Sequence, residues 1–207
     1  MSYSNENHQL NQPQTLFFEV VVIAASSDGT NAIISILKNL PKDLSVPILI
    51  VKHLANNYKS YFPVIFGYRT LLTVKEAENG EKIKPSIVYI APPNYHLLVN
   101  AEREISLTQT ETVKFVRPSA DVLLKSVAEN YQQRSIAVIL TGADTDGAQG
   151  VKAIKKMGGI VIAQDEATSG VFGMPRAAIA TGCVDFILPI DKIAEAIVNL
   201  VNTGAIE

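Results

Sequence analysis

Apolar residues fall along this chain in short blocks parted by turn-forming residues. Residues 17–24 make an apolar run broken only by Glu19, the pattern of a strand buried on both faces. Ile33, Ile36, Leu37 and Leu40 then recur at the spacing of one helix face. Between them lie Ala25, Ser26, Ser27, Asp28, Gly29 and Thr30, so a strand turns sharply into a helix there, with Thr30 or Asp28 able to cap its first N–H groups. Ser26 thereby falls at the carboxyl end of a buried strand beside a helix start, where open α/β sheets place ligands and reactive groups.

The same two-beat pattern continues to the end of the chain. Strands are predicted at 46–51, 71–74, 87–90, 136–140, 160–163 and 186–188. Helices are predicted at 118–131 with Ser119 as cap, up to Met157, at 175–180 and at 191–201. A further helix at 56–66 is weakened by Pro63. Residues 97–99 and 105–107 flank a polar turn and read as a hairpin. Strands alternating with helices imply an α/β domain, a mostly parallel sheet with helices on both faces and an antiparallel hairpin added. The expected organisation is a flexible polar tail at 1–16, with an inert His8, and one domain at 17–207.

Composition narrows the partners. With 207 residues, 47% hydrophobic, and a formal net charge of −2, the chain has material for one full core and no basic face for nucleic acid. No apolar segment reaches the ~18–20 residues of a membrane helix, no polybasic cluster suits a membrane surface, and the N-terminus lacks the layout of a secretory signal. Lone Cys183 excludes an internal disulfide and fits a reducing compartment. A cytoplasmic protein without membrane insertion is expected.

Three predicted strand ends carry polar residues that a buried sheet does not otherwise favour: Ser26, His53 and Asp146. These are the residue types of nucleophilic acyl transfer. A serine hydroxyl needs a base, neutral imidazole can take its proton, and a carboxylate fixes the ring tautomer. Each has a plainer explanation too: Ser26 as a small turn residue, His53 as a hydrogen-bonded strand cap, Asp146 as a helix cap ahead of Gly147. Sharper motifs are absent, among them G-x-S-x-G, G-x-G-x-x-G and G-x-x-x-x-G-K-[ST]. Asp144-x-Asp146 opens like a calcium loop, but Gln149 stands where glycine is needed. One cysteine and scattered histidines do not make a zinc cluster, and no metal or organic cofactor is called for.

Six segments together resemble the catalytic domain of the chemotaxis protein-glutamate methylesterases, the CheB type. They are IAASSDGTNA (23–32), VKHL (51–54), VYIAPPNYHLLV (88–99), RPSADVLLKSVAE (117–129), VILTGADTDGAQGVKAIKKMGG (138–159) and IAQDEATSGVFGMPRAAIATGCVDFILPI (162–190). The resemblance implies a Rossmann-like sheet and a serine hydrolase that removes methyl esters from glutamate side chains of methylated chemoreceptors, often with deamidation of selected glutamines. Carried over by motif, Ser26 is the nucleophile, His53 the base and Asp146 the acid that orients it. The backbone N–H of Ala143 is the oxyanion donor, and Met174 belongs to the pocket-lining segment 172–176. On this basis Asp146→Asn is expected to leave folding nearly unchanged while cutting turnover heavily; a mild loss would point to another acid, Asp144 or Asp165, behind His53. The family's domain is commonly fused to an N-terminal receiver domain that nothing here matches; the expected alternatives are a constitutively exposed site, control by a separate regulatory receiver protein, or a chain that is one part of a larger one.

The chain also departs from the family pattern. Ser26-Ser27-Asp28-Gly29 stands for Ser-Thr-Gly-Gly, Lys52-His53 for Gln-His, and Ala143-Asp144 for Met-Gly. Asp28 suits the dipole of a helix start. Lys52 disfavours a protonated imidazole unless strand alternation turns it away, and Ala143-Asp144 makes the pocket smaller and more acidic. These changes motivate an alternative: a catalytically weakened or inactive relative acting as a signalling or binding module. A third reading is a small-anion or nucleotide binder at the helix start after Gly29.

Overall fold

A computed structural model describes residues 18–53 and 60–206; the predicted tail with His8 and the first part of the helix predicted at 56–66 lie outside the described residues. The strands are β1 (Val20–Ala25), β2 (Ile48–Lys52), β3 (Thr73–Glu76), β4 (Ile87–Ile90), β5 (His96–Val99), β6 (Ile105–Thr108), β7 (Ser135–Ile139), β8 (Ile160–Gln164) and β9 (Phe186–Leu188). The helices are α1 (Gly29–Leu37), α2 (Phe62–Gly67), α3 (Ala120–Tyr131), α4 (Ala148–Lys156), α5 (Gly173–Ile179) and α6 (Ile190–Thr203). Strands β5 and β6 pair antiparallel as the predicted hairpin. The others form one parallel sheet in the order β3-β4-β2-β1-β7-β8-β9. The strand predicted at 71–74 starts two residues later, and Pro63 sits in the first turn of α2, where its missing N–H costs little.

All six residues of β1 are buried, and alternation sends successive side chains to opposite faces. Val21 and Ile23 pack with Ile33, Ile36 and Leu37 of α1 and with Ile193, Ile197 and Leu200 of α6. Val20, Val22 and Ala24 join the opposite layer, with Leu123, Leu124 and Val127 of α3, Val151 and Ile154 of α4, and Met174 of α5. Burying each large aliphatic side chain contributes roughly 1.5–3 kcal/mol, so the two layers hold the sheet from both sides. Among the described residues no helix is long and apolar enough to cross a membrane.

Strand order reverses at β1, with β2, β4 and β3 on one side and β7, β8 and β9 on the other. In open α/β sheets the crevice outside the carboxyl ends at such a reversal is the ligand site. Here the ladder runs one step past the strands: Ser26 N–H donates to Thr141 O at 3.0 Å, and His53 N–H to Ala25 O at 3.0 Å. The segments following β2, β1 and β7 are thereby laid side by side, with Ser26 in the middle.

Helices α3 and α4 are capped crosswise. Asp121, in the first turn of α3 and 2% exposed, accepts the N–H groups of Gln149 and Gly150 at the start of α4 through Oδ1, at 2.9 and 2.8 Å. Asp146, just ahead of α4, accepts the N–H groups of Ala120 and Asp121 at the start of α3. Each helix start has donors with no intrahelical partner, and each draws a carboxylate from the neighbouring helix's entry.

Candidate active site

Ser26 continues the alternation of β1 and faces the same layer as Ala24, the layer that includes Met174. Gly142 makes this approach possible: a Cβ there would overlap Met174 Sδ and lie 2.8 Å from Ser26 Cβ. Met174 is 1% exposed, and its N–H is fixed to Gly142 O at 2.8 Å. The residue expected to line the pocket therefore packs at the serine.

His53 projects from the end of β2 to the same side. Its ring is 7% exposed, with Nε2 2.9 Å from Asp146 Oδ2 and Nδ1 3.0 Å from Asp144 Oδ2. Asp146 is buried and, among the described residues, accepts from four donors. Ala120 N–H lies 2.5 Å from Oδ2 beside the imidazole, while Ser119 Oγ–H at 2.8 Å and Asp121 N–H at 3.1 Å meet Oδ1. Burial pushes its carboxyl pKa up, but the hydrogen bonds from His53, Asp121, Ala120 and Ser119 outweigh burial and bring it below the ordinary value. Asp144 follows the same balance: burial raises it, and the contacts with His53 and with the Asp146 N–H at 2.8 Å leave it lowered. For His53, burial disfavours the charge, yet the two carboxylates prevail and raise the pKa to about 9. At neutral pH the ring is an imidazolium held between two anions.

The structure thus brings His53 and Asp146 together. It does not hydrogen-bond Ser26 to His53: among the described residues the Ser26 hydroxyl makes no hydrogen bond, and both ring nitrogens are occupied by carboxylates. The Ala143 N–H has no acceptor among the described residues, and it follows Gly142, which abuts Ser26.

Two of the departures point away from the ring. Lys52 Nζ donates to His53 O at 3.0 Å and lies 5.6 Å from the centroid of the Phe62 ring, and burial lowers its pKa. Asp28 occupies the N-cap position of α1 with φ 62° and no side-chain capping bond, contrary to the expected cap, and Thr30 lies inside the helix. Its carboxylate instead abuts Gly170, in a shallow cleft shared with Asn31, Thr141 and Gln164. Among the described residues, Asp144 is the departure that contacts the His53 ring.

Sequence reasoning overlooked two supporting residues. Ser119, expected to cap α3, makes no side-chain capping bond and gives its hydroxyl to Asp146. Buried His96 accepts the Ser119 N–H at Nδ1, 3.2 Å, which leaves Nε2–H to donate to Glu111 O at 3.1 Å. The only sequence signal was a histidine opening an apolar strand, His96-Leu97-Leu98-Val99. Among the described residues no three His, Cys, Asp or Glu side chains are grouped to hold a metal ion.

A parallel Rossmann-like sheet with a serine and a histidine–carboxylate pair at its reversal point is the scaffold and the chemistry of a hydrolase-type α/β domain. The match is closer than that class: the profile of the CheB methylesterase family covers residues 21–197, and the chain belongs to this family. Over 183 residues it is 43% identical to a Leptospira interrogans protein named putative protein-glutamate methylesterase/protein-glutamine glutaminase, covering 88% of this chain and 95% of that one. It is 40% identical to the protein-glutamate methylesterase/protein-glutamine glutaminase of Pyrococcus horikoshii, covering 88% of this chain and 50% of that one. The chain therefore spans about half the length of the Pyrococcus relative. The crystal structure of the Thermotoga maritima CheB methylesterase catalytic domain is similar at a TM-score of 0.86 and 40% identity, covering 89% of this chain and 99% of that one. The α/β fold with its antiparallel hairpin, predicted from the alternation of elements, is borne out.

Proposed function

We propose that this chain is a serine hydrolase that removes methyl esters from glutamate side chains of methylated chemoreceptors and deamidates selected glutamines there. The reading is carried by the His53–Asp146 hydrogen bond, one ladder step from Ser26 at the reversal of strand order, in a chain of the CheB family. Ser26 Oγ attacks the ester carbonyl while His53 takes its proton. Asp146, held by three other donors, keeps Nε2–H pointing at itself, which makes Nδ1 the proton-accepting atom. Charge gathers on the carbonyl oxygen facing the Ala143 N–H. The bond from acyl carbon to methoxy oxygen then breaks, and methanol leaves with the proton from Nδ1. A water deprotonated by the same nitrogen attacks the acyl group, frees the glutamate and returns the proton to Ser26. With a glutamine side chain, ammonia departs in place of methanol. Met174 lines the pocket. The work is done in the cytoplasm, and a separate receiver protein is the proposed regulator.

The test is methanol release from methyl-labelled receptor membranes. Ser26→Ala abolishes it on this reading; equal release from both proteins removes Ser26 from the mechanism. The grip of Asp144 on Nδ1 favours a second reading, a non-catalytic receptor-binding module. In that case the unaltered protein releases no methanol at any pH yet still binds receptor membranes.

A further inference from the structure

Asp144 stands where the family pattern has glycine, and its carboxylate occupies the one imidazole nitrogen that Asp146 leaves open. The sheet order β2-β1-β7 puts Ser26 between the strand that carries His53 and the strand that leads to both aspartates. Neighbouring strands lie about 4.8 Å apart, so the ring reaches over the end of β1 to meet them. Resting on the esterase reading above, we propose that Asp144 is a latch on the catalytic base: while it holds Nδ1, His53 cannot take the Ser26 proton, and turnover begins only when that contact opens.

The two carboxylates are unequally anchored, which decides the one that lets go. Asp146 is buried and has Ser119, Ala120 and Asp121 as further donors. The Asp144 side chain is 32% exposed and, among the described residues, has only the Asp146 N–H besides the ring. A neutral imidazole has one N–H, so it can donate to only one of them, and its bare nitrogen repels the other. Loss of the proton therefore releases Asp144 toward solvent, leaves Nε2–H on Asp146 and presents the Nδ1 lone pair to Ser26. Asp144 acts through His53, as a positioning residue.

Among the described residues no other charged side chain bears on the ring. On its own strand Lys52 is turned to the His53 carbonyl and the Phe62 ring. On α3, Asp121 is engaged by Lys114 and the start of α4. With a pKa of about 9, His53 is neutral in roughly one molecule in a hundred at pH 7, so the latched enzyme runs far below its alkaline plateau.

The experiment pairs two readouts on the full chain and on Asp144→Ala and Asp144→Gly, either of which suffices if the other fails to fold. The first is the NMR titration of the His53 ring, assigned among the chain's three histidines with His53→Gln; it needs no turnover. The second is the pH profile of methanol release from methyl-labelled receptor membranes. Removing the carboxylate is expected to lower the ring's titration midpoint and raise release at pH 7 by at least about tenfold, with rates converging on the unaltered protein's at high pH. Unchanged titration in a folded variant overturns the latch. So does a lowered midpoint without a gain at pH 7 when the unaltered protein is active. Failure of the esterase reading looks different: no protein releases methanol at any pH, or Ser26→Ala releases as much as the unaltered protein, whatever the ring titration does.

Discussion

Asp146→Asn tests how the proposed catalytic acid is built into the fold. All four groups around the carboxylate are donors: Oδ2 accepts from Ala120 N–H and His53, and Oδ1 from Ser119 Oγ–H and Asp121 N–H. Asparagine offers one oxygen and one NH2. With the NH2 at the Oδ1 place, the Ser119 hydroxyl can rotate to accept, but the Asp121 N–H is orphaned. With the NH2 at the Oδ2 place, the Ala120 N–H is orphaned and His53 is forced to carry its proton on Nδ1. Either way one buried amide loses its acceptor, at about 1–3 kcal/mol, and the start of α3 loses an anion worth about 0.3–1 kcal/mol or somewhat more when buried. The total, about 2–4 kcal/mol, lowers the melting temperature by roughly 5–15 °C in a domain of this size. The donor count thus predicts a loss of stability where the sequence alone led to the expectation of nearly unchanged folding. Thermal melts followed by circular dichroism at pH 7 decide the matter, and a midpoint within a degree or two of the unaltered protein refutes the donor count.

The same cluster sets the pH dependence of stability. The His53 pKa is raised on folding from 6.5 to about 9, so its stabilisation is complete below the unfolded value and is lost as pH rises through about 9, on the order of 3 kcal/mol in all. The lowered carboxyls of Asp144 and Asp146 contribute above their ordinary range and lose that contribution as pH falls through their folded values. These are the same contacts seen from two sides and are not added. Melting temperature should fall between pH 7 and 10, and a flat profile there contradicts the imidazolium. Gly142→Ala should destabilise by about 1–3 kcal/mol through overpacking and lower turnover at least tenfold, because the new methyl group meets both Met174 and Ser26. Gly67→Ala, whose Cβ meets nothing within 4 Å, is the control, and equal behaviour of the two variants would show that Gly142 does not shape the site.

What the sequence made legible was whatever periodicity controls. The buried run of β1, the one-sided α1 and the hairpin followed from spacing, and spacing put Ser26 and His53 at adjacent strand ends. Strand alternation also foretold that Lys52 could face away from the imidazole, as it does. Contacts between distant segments were not legible, because nothing local encodes them. Ser119 looks like a helix cap by its neighbours, and only the arrival of Asp146 from 27 residues away gives its hydroxyl another partner. The capping expectation for Asp28 failed because the tight turn holds its backbone at φ 62°, a conformation glycine adopts freely and an aspartate only at some cost. Asp144 was noted as an acidic neighbour of the pocket, but its reach to Nδ1 depends on the loop that Asp146 N–H closes onto it.

The crosswise caps bind chemistry to architecture. An ionised carboxylate this deeply buried persists only with enough donors to replace water, and Asp146 finds them in the unpaired N–H groups that any helix start must offer. The entry to α3 is therefore stabilised by the same anion that orients His53, and the entry to α4 by Asp121 in return. A perturbation that shifts α3 against α4 moves the acid along with the helix, so positions remote from Ser26 on that interface should alter turnover through the imidazole's orientation. Asp144 lies outside this arrangement, held among the described residues by the Asp146 N–H and the His53 ring alone. That asymmetry lets one carboxylate serve as a fixed part of the scaffold while the other remains free to move.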